Sequence, residues 1–243
     1  MNKKQTKILD IVYGIHPAIE LLKAKRRAVH AIYTTKDTKA FGQIERLLPT
    51  HIKPTFVDKN RLASFAGTAD HQGVVITADS FVYQKTFFDP KKSKLLILLD
   101  RIQDPRNAGA IIRSAYCTNA DGIILIDKGG TGITPTVLKA SAGLAEHCTI
   151  YRAPSVGAAA QNLRDAGYTI YVGDAGGTAI QKVEFVQPCC LIVGSEGVGA
   201  ASLFKEHGHV IQIPQKRPDI SYNASVAAGI MLFWAGLKLG RIG

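Results

Sequence analysis

LLILLDRIQDPRNAGAIIR (95–113) decides the architecture. Residues 95–99 are an unbroken apolar run, the pattern of a strand buried on both faces of a parallel sheet. A polar loop follows, and apolar positions then recur at helical spacing over residues 107–117. Asn107 is placed to cap that helix. Gly109 lets backbone approach closely. Arg113 carries a rigid, planar cation that suits phosphate. Loops beyond the carboxyl ends of parallel strands form the binding crevice in open α/β sheets, so this segment is a candidate site as well as a fold signal.

The same alternation continues downstream. Strands are expected at 122–126, 149–151, 168–172, 190–193 and 209–213. Helices are expected at 135–144, 156–166 and 223–239. This is an α/β domain with a mostly parallel sheet covered on both sides. Upstream, residues 11–78 read as a smaller α/β unit, with helices at 16–25, 41–48 and 59–66 and extended segments at 28–33, 55–57 and 74–78. SFVYQKTFFDPKKSK (80–94) breaks the pattern and ends in Pro and lysines. The expected division is a domain over 1–84, a linker over 85–94 and a second domain over 95–243.

The 243 residues are 46% hydrophobic and 20% charged, enough apolar material for a core and too much for a disordered chain. The start, MNKKQTKILD, lacks the apolar stretch of a secretory leader. The apolar run 224–237 is too short to cross a bilayer and reads as a buried helix. Cysteines at 117, 148, 189 and 190 form no CxxC and no zinc-type spacing. Reduced thiols in a cytoplasmic, metal-free protein that does not enter a membrane are the expectation. The net charge of +11 is uneven: residues 1–94 carry +9 and residues 95–243 carry +2. A basic excess of that size suits a polyanion, with Lys23, Lys25, Arg26 and Arg27 as its densest run.

Familiar nucleotide motifs are missing. No GxGxxG follows the first strand of the larger domain, and no GxxxxGK[ST], GxSxG or HExxH occurs. Two further polar clusters stand past strand ends. In LIVGSEGVGA (191–200), Glu196 is the one charge in a glycine loop, better matched to a hydroxyl, an amide or a cation than to ATP. In IQIPQKRPDISYNASVAAG (211–229), Lys216, Arg217 and Asp219 occupy a loop, and Ser221 and Asn223 precede an apolar helix. A good helix cap explains one of those last two residues but not both.

Taken in order, N-x-G-x-x-x-R (107–113), G-x-E-G-x-G (194–199) and I-P-x(6)-S-x-N-x-S-V-A-A (213–228) resemble the three motifs of the SpoU (TrmH-type) RNA ribose 2′-O-methyltransferases, of the SPOUT superfamily. YGIHPAIELL (13–22) and HQGV (71–74) look like that family's amino-terminal RNA-binding domain. The resemblance implies a SPOUT-type sheet with a carboxyl-terminal trefoil knot, S-adenosyl-L-methionine as cofactor, and a homodimer formed through the last helix. It implies cofactor contacts from Gly194, Ser195, Glu196, Gly197, Ile213, Tyr222 and Asn223. It implies catalysis by Arg113 with Asn107, Glu196, Ser221 and Asn223. Arg113 would act either as the base for the ribose hydroxyl or as a fixed cation stabilising the alkoxide. A separate amino-terminal domain favours large-subunit ribosomal RNA over tRNA, with guanosine as the target. A tRNA substrate, and a non-catalytic RNA-binding or ribosome-assembly protein on the same fold, are the alternatives. The sequence departs from the family at Gln215, at Lys216–Pro218 and at Tyr222, all on the cofactor rim.

Overall fold

The computed structural model describes residues 9–36, 39–217 and 220–243. The reading of the chain's first eight residues, and the loop residues Pro218 and Asp219, lie outside them.

The first unit runs β1 (Leu9–Tyr13), α1 (Ile15–Ala24), β2 (Val29–Thr34), α2 (Lys39–Ile44), β3 (Thr55–Phe56), α3 (Lys59–Ala66) and β4 (Val74–Asp79). Its sheet has the order β1-β4-β2-β3. Only the β2–β3 pair is parallel. The sequence gives no alternation strong enough to mark β1, whose first residues are polar or partly exposed. Local signals set the helices. Asp58 caps α3 by accepting from the Arg61 N–H, and Gly67 ends it in a left-handed conformation.

The second unit runs β5 (Leu95–Asp100), α4 (Pro105–Cys117), β6 (Gly122–Ile126), α5 (Pro135–Ala140), β7 (Ile150–Ala153), α6 (Val156–Asp165), β8 (Thr169–Ala179), β9 (Cys189–Gly194), α7 (Ser202–Glu206), β10 (His209–Gln212) and α8 (Ala224–Lys238). All five strand pairs are parallel, in the order β10-β8-β9-β5-β6-β7. Every residue of β5 is buried. Its side chains alternate between two cores. Leu95, Ile97 and Leu99 join Ile111, Val137 and Met231 on one face; Leu96 and Leu98 join Leu163, Ile170 and Phe204 on the other. That two-sided burial is the reason the strand shows no polar alternation.

Helix α4 begins two residues earlier than its periodicity suggests. Asp104 accepts from the Arg106 N–H and Pro105 occupies the first turn. Asn107 therefore does not cap the helix; its side chain is free for another task. Strand β8 runs on through GDAGGT to Ala179, where the glycines conceal the strand from any propensity argument. Residues 85–94 connect the two sheets as packed chain: Phe88 is buried in the second core, and Gln84 bridges to Tyr151.

The two units are clasped by charge. Arg27 is buried and grips Glu146 side-on through Nε and one terminal nitrogen, while its other terminal nitrogen reaches the Asp10 carboxylate at 2.9 Å and the Asp79 carbonyl at 2.8 Å. Burial pushes the Glu146 carboxyl above its usual range, and the Arg27 charge opposes that shift. Arg26 donates to the carbonyls of Glu146 and Cys148. Two members of the densest basic run thus tie the units together: Arg27 from a buried position and Arg26 from an exposed one. No described helix is long and apolar enough to cross a membrane.

Candidate functional site

A cleft of about 650 Å³ opens past the carboxyl ends of β8, β9 and β10. Its size is that of a small-molecule site. Three segments wall it: 173–176 at the end of β8, 193–199 after β9, and 211–215 with 221–222 leading into α8. Ala224, Ala227 and Met231 form its floor.

Glycines in and beside these walls are set either by space, as at Gly194 and neighbouring Gly177, or by backbone conformation, as at Gly197 and Gly199. A Cβ at Gly194 would lie 2.0 Å from the Ala200 nitrogen and the Gly199 carbonyl carbon, both backbone atoms that cannot move aside. A Cβ at Gly177 would meet the Val210 carbonyl at 2.5 Å. Gly197 and Gly199 take positive φ angles of 82° and 73°. The result is a wall of bare backbone, able to approach a ligand closely.

Glu196 joins the three motifs. Its Oε1 accepts from Asn107 Nδ2 at 2.9 Å and from Asn223 Nδ2 at 2.6 Å. Asn223 is pinned in turn: its Oδ1 caps α8, accepting from the Ser225 N–H at 2.9 Å and the Ser225 hydroxyl at 2.6 Å. The amide of Asn223 is thereby oriented with oxygen toward the helix and nitrogen toward the carboxylate. So one residue serves both as cap and as site residue, and residues far apart in the chain meet at one oxygen.

Gly194, Ser195, Glu196, Gly197, Ile213, Ser221 and Tyr222 all line the cleft. Asn107 and Asn223 reach it through Glu196. Arg113 does not line it. It is exposed on α4, offset from Asn107 by six residues and so on a different helix face. The segment 173–176 also lines the cleft, and its glycine cluster is the one signal of it in the sequence. Asp174 stands in this wall, ion-paired to Lys205 and donated to by the Ala175 N–H at 2.7 Å.

The wall chemistry fits a cationic, nucleoside-bearing ligand such as S-adenosylmethionine. Backbone too tight for any Cβ lies beside two carboxylates, Glu196 and Asp174, and an exposed aromatic ring, Tyr222. Among the described residues no cluster of His, Cys, Asp and Glu is arranged to hold a metal ion.

A parallel α/β sheet with a glycine-walled ligand cleft at its carboxyl edge defines the class, and comparison with known proteins narrows it. Residues 94–233 match the SpoU rRNA methylase family, and residues 11–84 match the RNA 2′-O ribose methyltransferase substrate-binding family. An uncharacterised tRNA/rRNA methyltransferase of Mycolicibacterium gilvum is 32% identical over 94% of this chain and 76% of its own length. One from Synechocystis is 33% identical over 96% of this chain, which spans 63% of that relative's length. The putative TrmH-family tRNA/rRNA methyltransferase YacO of Bacillus subtilis is 29% identical over 96% of this chain and 98% of its own. The crystal structure of the SpoU methyltransferase AviRb from Streptomyces viridochromogenes superimposes with a TM-score of 0.80 at 21% identity, covering 96% of this chain and 91% of that one. An AdoMet-bound rRNA methyltransferase from Sinorhizobium meliloti gives 0.78 at 24% identity, covering 95% and 88%.

The chain belongs to the SpoU rRNA methylase family. It is thus one of the S-adenosylmethionine-dependent RNA methyltransferases, and its fold is that of the SPOUT enzymes.

Proposed function

We propose that this protein methylates a ribose 2′-hydroxyl of RNA, with a guanosine of large-subunit ribosomal RNA as the target. The observation that carries the reading is the convergence of Asn107, Glu196 and Asn223 on one carboxylate oxygen at the mouth of the cleft. S-adenosylmethionine, when bound, supplies an electrophilic methyl group on a sulfonium centre.

The chain's own residues then have separable tasks. Gly194, Ser195, Gly197, Ile213 and Tyr222 hold the donor against bare backbone. Glu196, locked by two amides, faces the cleft with its charge in a fixed direction. Ser221 stands on the rim, available to the ribose. Holding the two reactants in line lowers the barrier by several kcal/mol. Arg113 either is transiently deprotonated as it binds the target's phosphate and then takes up the 2′-hydroxyl proton, or stays charged and stabilises the developing alkoxide.

The exposure of Arg113 has a place in this reading. Helix α8 presents an apolar stripe of Val226, Ile230, Phe233 and Leu237 on one side, with Val226 and Phe233 about half exposed. The Ser114 hydroxyl, next to Arg113, lies 3.6 Å from where a Gly229 Cβ would stand on that helix. A second copy of the chain covering the stripe would bring its own loops beside Arg113, so a homodimer completes the site. The knot belongs to the same proposal: it would be formed where the segment after β10 meets the 194–199 loop. The basic 1–84 unit binds RNA, supported by its charge and its match to a substrate-binding family. A ribosomal substrate is favoured over tRNA because that unit adds a second, separate RNA contact.

The test is direct. S-adenosylhomocysteine should raise the Tm of the full chain. Arg113→Ala should abolish methyl transfer to ribosomal RNA isolated from cells lacking the gene while calorimetric affinity for S-adenosylhomocysteine is retained. Undiminished turnover in that variant removes Arg113 from the mechanism. Mapping 2′-O-methyl sites in ribosomal and transfer RNA with and without the gene identifies the nucleotide, and methylation appearing only in tRNA overturns the ribosomal assignment.

A further inference from the structure

The β5–α4 loop begins with a conformation that calls for an explanation. Arg101 has φ 56°, in the left-handed region that disfavours a side chain. Such outliers persist only where the surroundings enforce them, and they cluster at binding sites. Here the surroundings are specific. The Asp100 side chain is wholly buried and takes Arg101 in a two-pronged grip, Nε at 2.9 Å and one terminal nitrogen at 3.1 Å. The same carboxylate accepts from the Ala201 N–H at 2.7 Å, just after the glycine loop of the cofactor cleft. Asp100 pairs with Gly194 across β5–β9, so Arg101 stands one residue beyond the wall of that cleft.

The other flank of Arg101 is built from glycine. A Cβ on Gly129 would lie 3.4 Å from Arg101 Cγ, and Gly130 comes close enough that its Cβ would meet the Ile126 carbonyl at 2.4 Å. The Thr131 N–H donates to the Ile102 carbonyl at 2.9 Å, tying the β6–α5 loop to the β5–α4 loop. The side chain of Arg101 stays one-third exposed. A guanidinium has five N–H groups, and Asp100 occupies two. No described group accepts from the other three. Lys128 in the β6–α5 loop and Arg106 in the first turn of α4 are both exposed nearby. The two surface acids nearby are engaged: Asp104 caps α4, and Asp127 pairs with Arg152.

We infer that the surface where the β5–α4 and β6–α5 loops meet is an RNA-phosphate site, with the Arg101 guanidinium as its fixed contact. The inference rests on the RNA-methyltransferase reading and deepens it. A planar fork held rigid on one edge offers its other edge to a tetrahedral anion. Its position, one strand over from the cofactor cleft, suits a backbone phosphate flanking the target ribose. Arg101 is therefore a positioning residue: it would fix the RNA backbone while other groups handle the reacting atoms.

Three substitutions test this on the full chain: Arg101→Gln, Arg101→Lys and Arg101→Gly. The probe is a short, fluorescently labelled, mixed-sequence single-stranded RNA, titrated at several salt concentrations with S-adenosylhomocysteine present. The Gln variant should lose about tenfold in RNA affinity, the loss expected of one charge-assisted contact. Its log–log salt slope should shrink by about 0.7, the signature of one phosphate contact on a single strand. The Lys variant should recover the slope. In the Gly variant, which can relax the strained backbone, RNA affinity should fall as in the Gln variant. Affinity for S-adenosylhomocysteine should be unchanged in all three. Two results overturn the inference: unaltered RNA affinity and slope in the Gln variant, or RNA and S-adenosylhomocysteine affinities falling together, which marks Arg101 as a structural staple for Asp100. A wild-type chain that binds neither S-adenosylhomocysteine nor RNA refutes the methyltransferase reading itself, which is a different failure.

Discussion

Glu196 shows how much one side chain can be asked to do. It has two amide donors on the same oxygen, each from a segment distant in sequence. Hydrogen bonds to a charged acceptor contribute about 1.5–3 kcal/mol each. Glu196→Gln keeps the shape but weakens both bonds, and its own amide nitrogen faces two donors if it turns the wrong way. The expected outcome is a tenfold to hundredfold loss of affinity for S-adenosylhomocysteine, about 1.4 kcal/mol per factor of ten, measured by calorimetry. Unchanged affinity would mean that the three loops hold their positions without the carboxylate. Glu196 and Asn223 stand out in the sequence as polar residues past apolar strands, and the resemblance in motif order is what adds Asn107 to them as a site residue. Sequence reasoning could not see that they share an oxygen, since nothing local encodes a contact between residues 107 and 223. It also assigned Asn107 to a cap that Asp104 already provides.

At the level of elements, the central strands were the most legible part. LLILL has no competing interpretation at that length and with those flanks, and the strand is observed over 95–100. The failures fall where glycine or polarity masks the period. β1 begins with Leu9 exposed and Asp10 half-buried, and β8 continues through three glycines. Helix 135–144 ends at Ala140, and a separate 3-10 turn follows over Leu144–His147, because Gly143 takes φ 82° between them. Packing between elements gives a sharper prediction. A Cβ at Gly109 would lie 2.5 Å from Ala140 Cβ and 2.7 Å from the Val137 carbonyl. Gly109→Ala should force α4 and α5 apart. Overpacking of this kind costs about 1–3 kcal/mol, or roughly 2–4 °C in Tm for each kcal/mol at this chain length. Calorimetric unfolding measures it, and a Tm equal to or above that of the parent would show that the helices can slide to admit a methyl group.

On the scale of the whole molecule, the basic amino-terminal half proves to have two uses for its charge. Lys23 and Lys25 stay exposed, whereas Arg27 is buried against Glu146 and Asp10. Composition alone cannot separate these uses, because a buried arginine and a solvent-facing one count equally. Removing one partner of a buried pair leaves an uncompensated charge and costs about 3–5 kcal/mol. Arg27→Ala should therefore lower the urea midpoint substantially, and adding Glu146→Gln should return part of the loss. Additive effects in the double variant would place the two residues in independent environments. The same geometry changes what a truncation would report: deleting the first unit exposes Glu146 and the face that carried Pro17 and Glu20 against Gly143.

The buried Arg27 clasp also sets a span. With the two units locked by buried side chains rather than strung on a loose tether, the distance from the first sheet to the glycine-walled cleft is constant. If the first unit grips RNA as proposed, the molecule would work as a caliper: the methylated ribose would lie at one offset from the anchored stretch, and strands that place it elsewhere would be passed over.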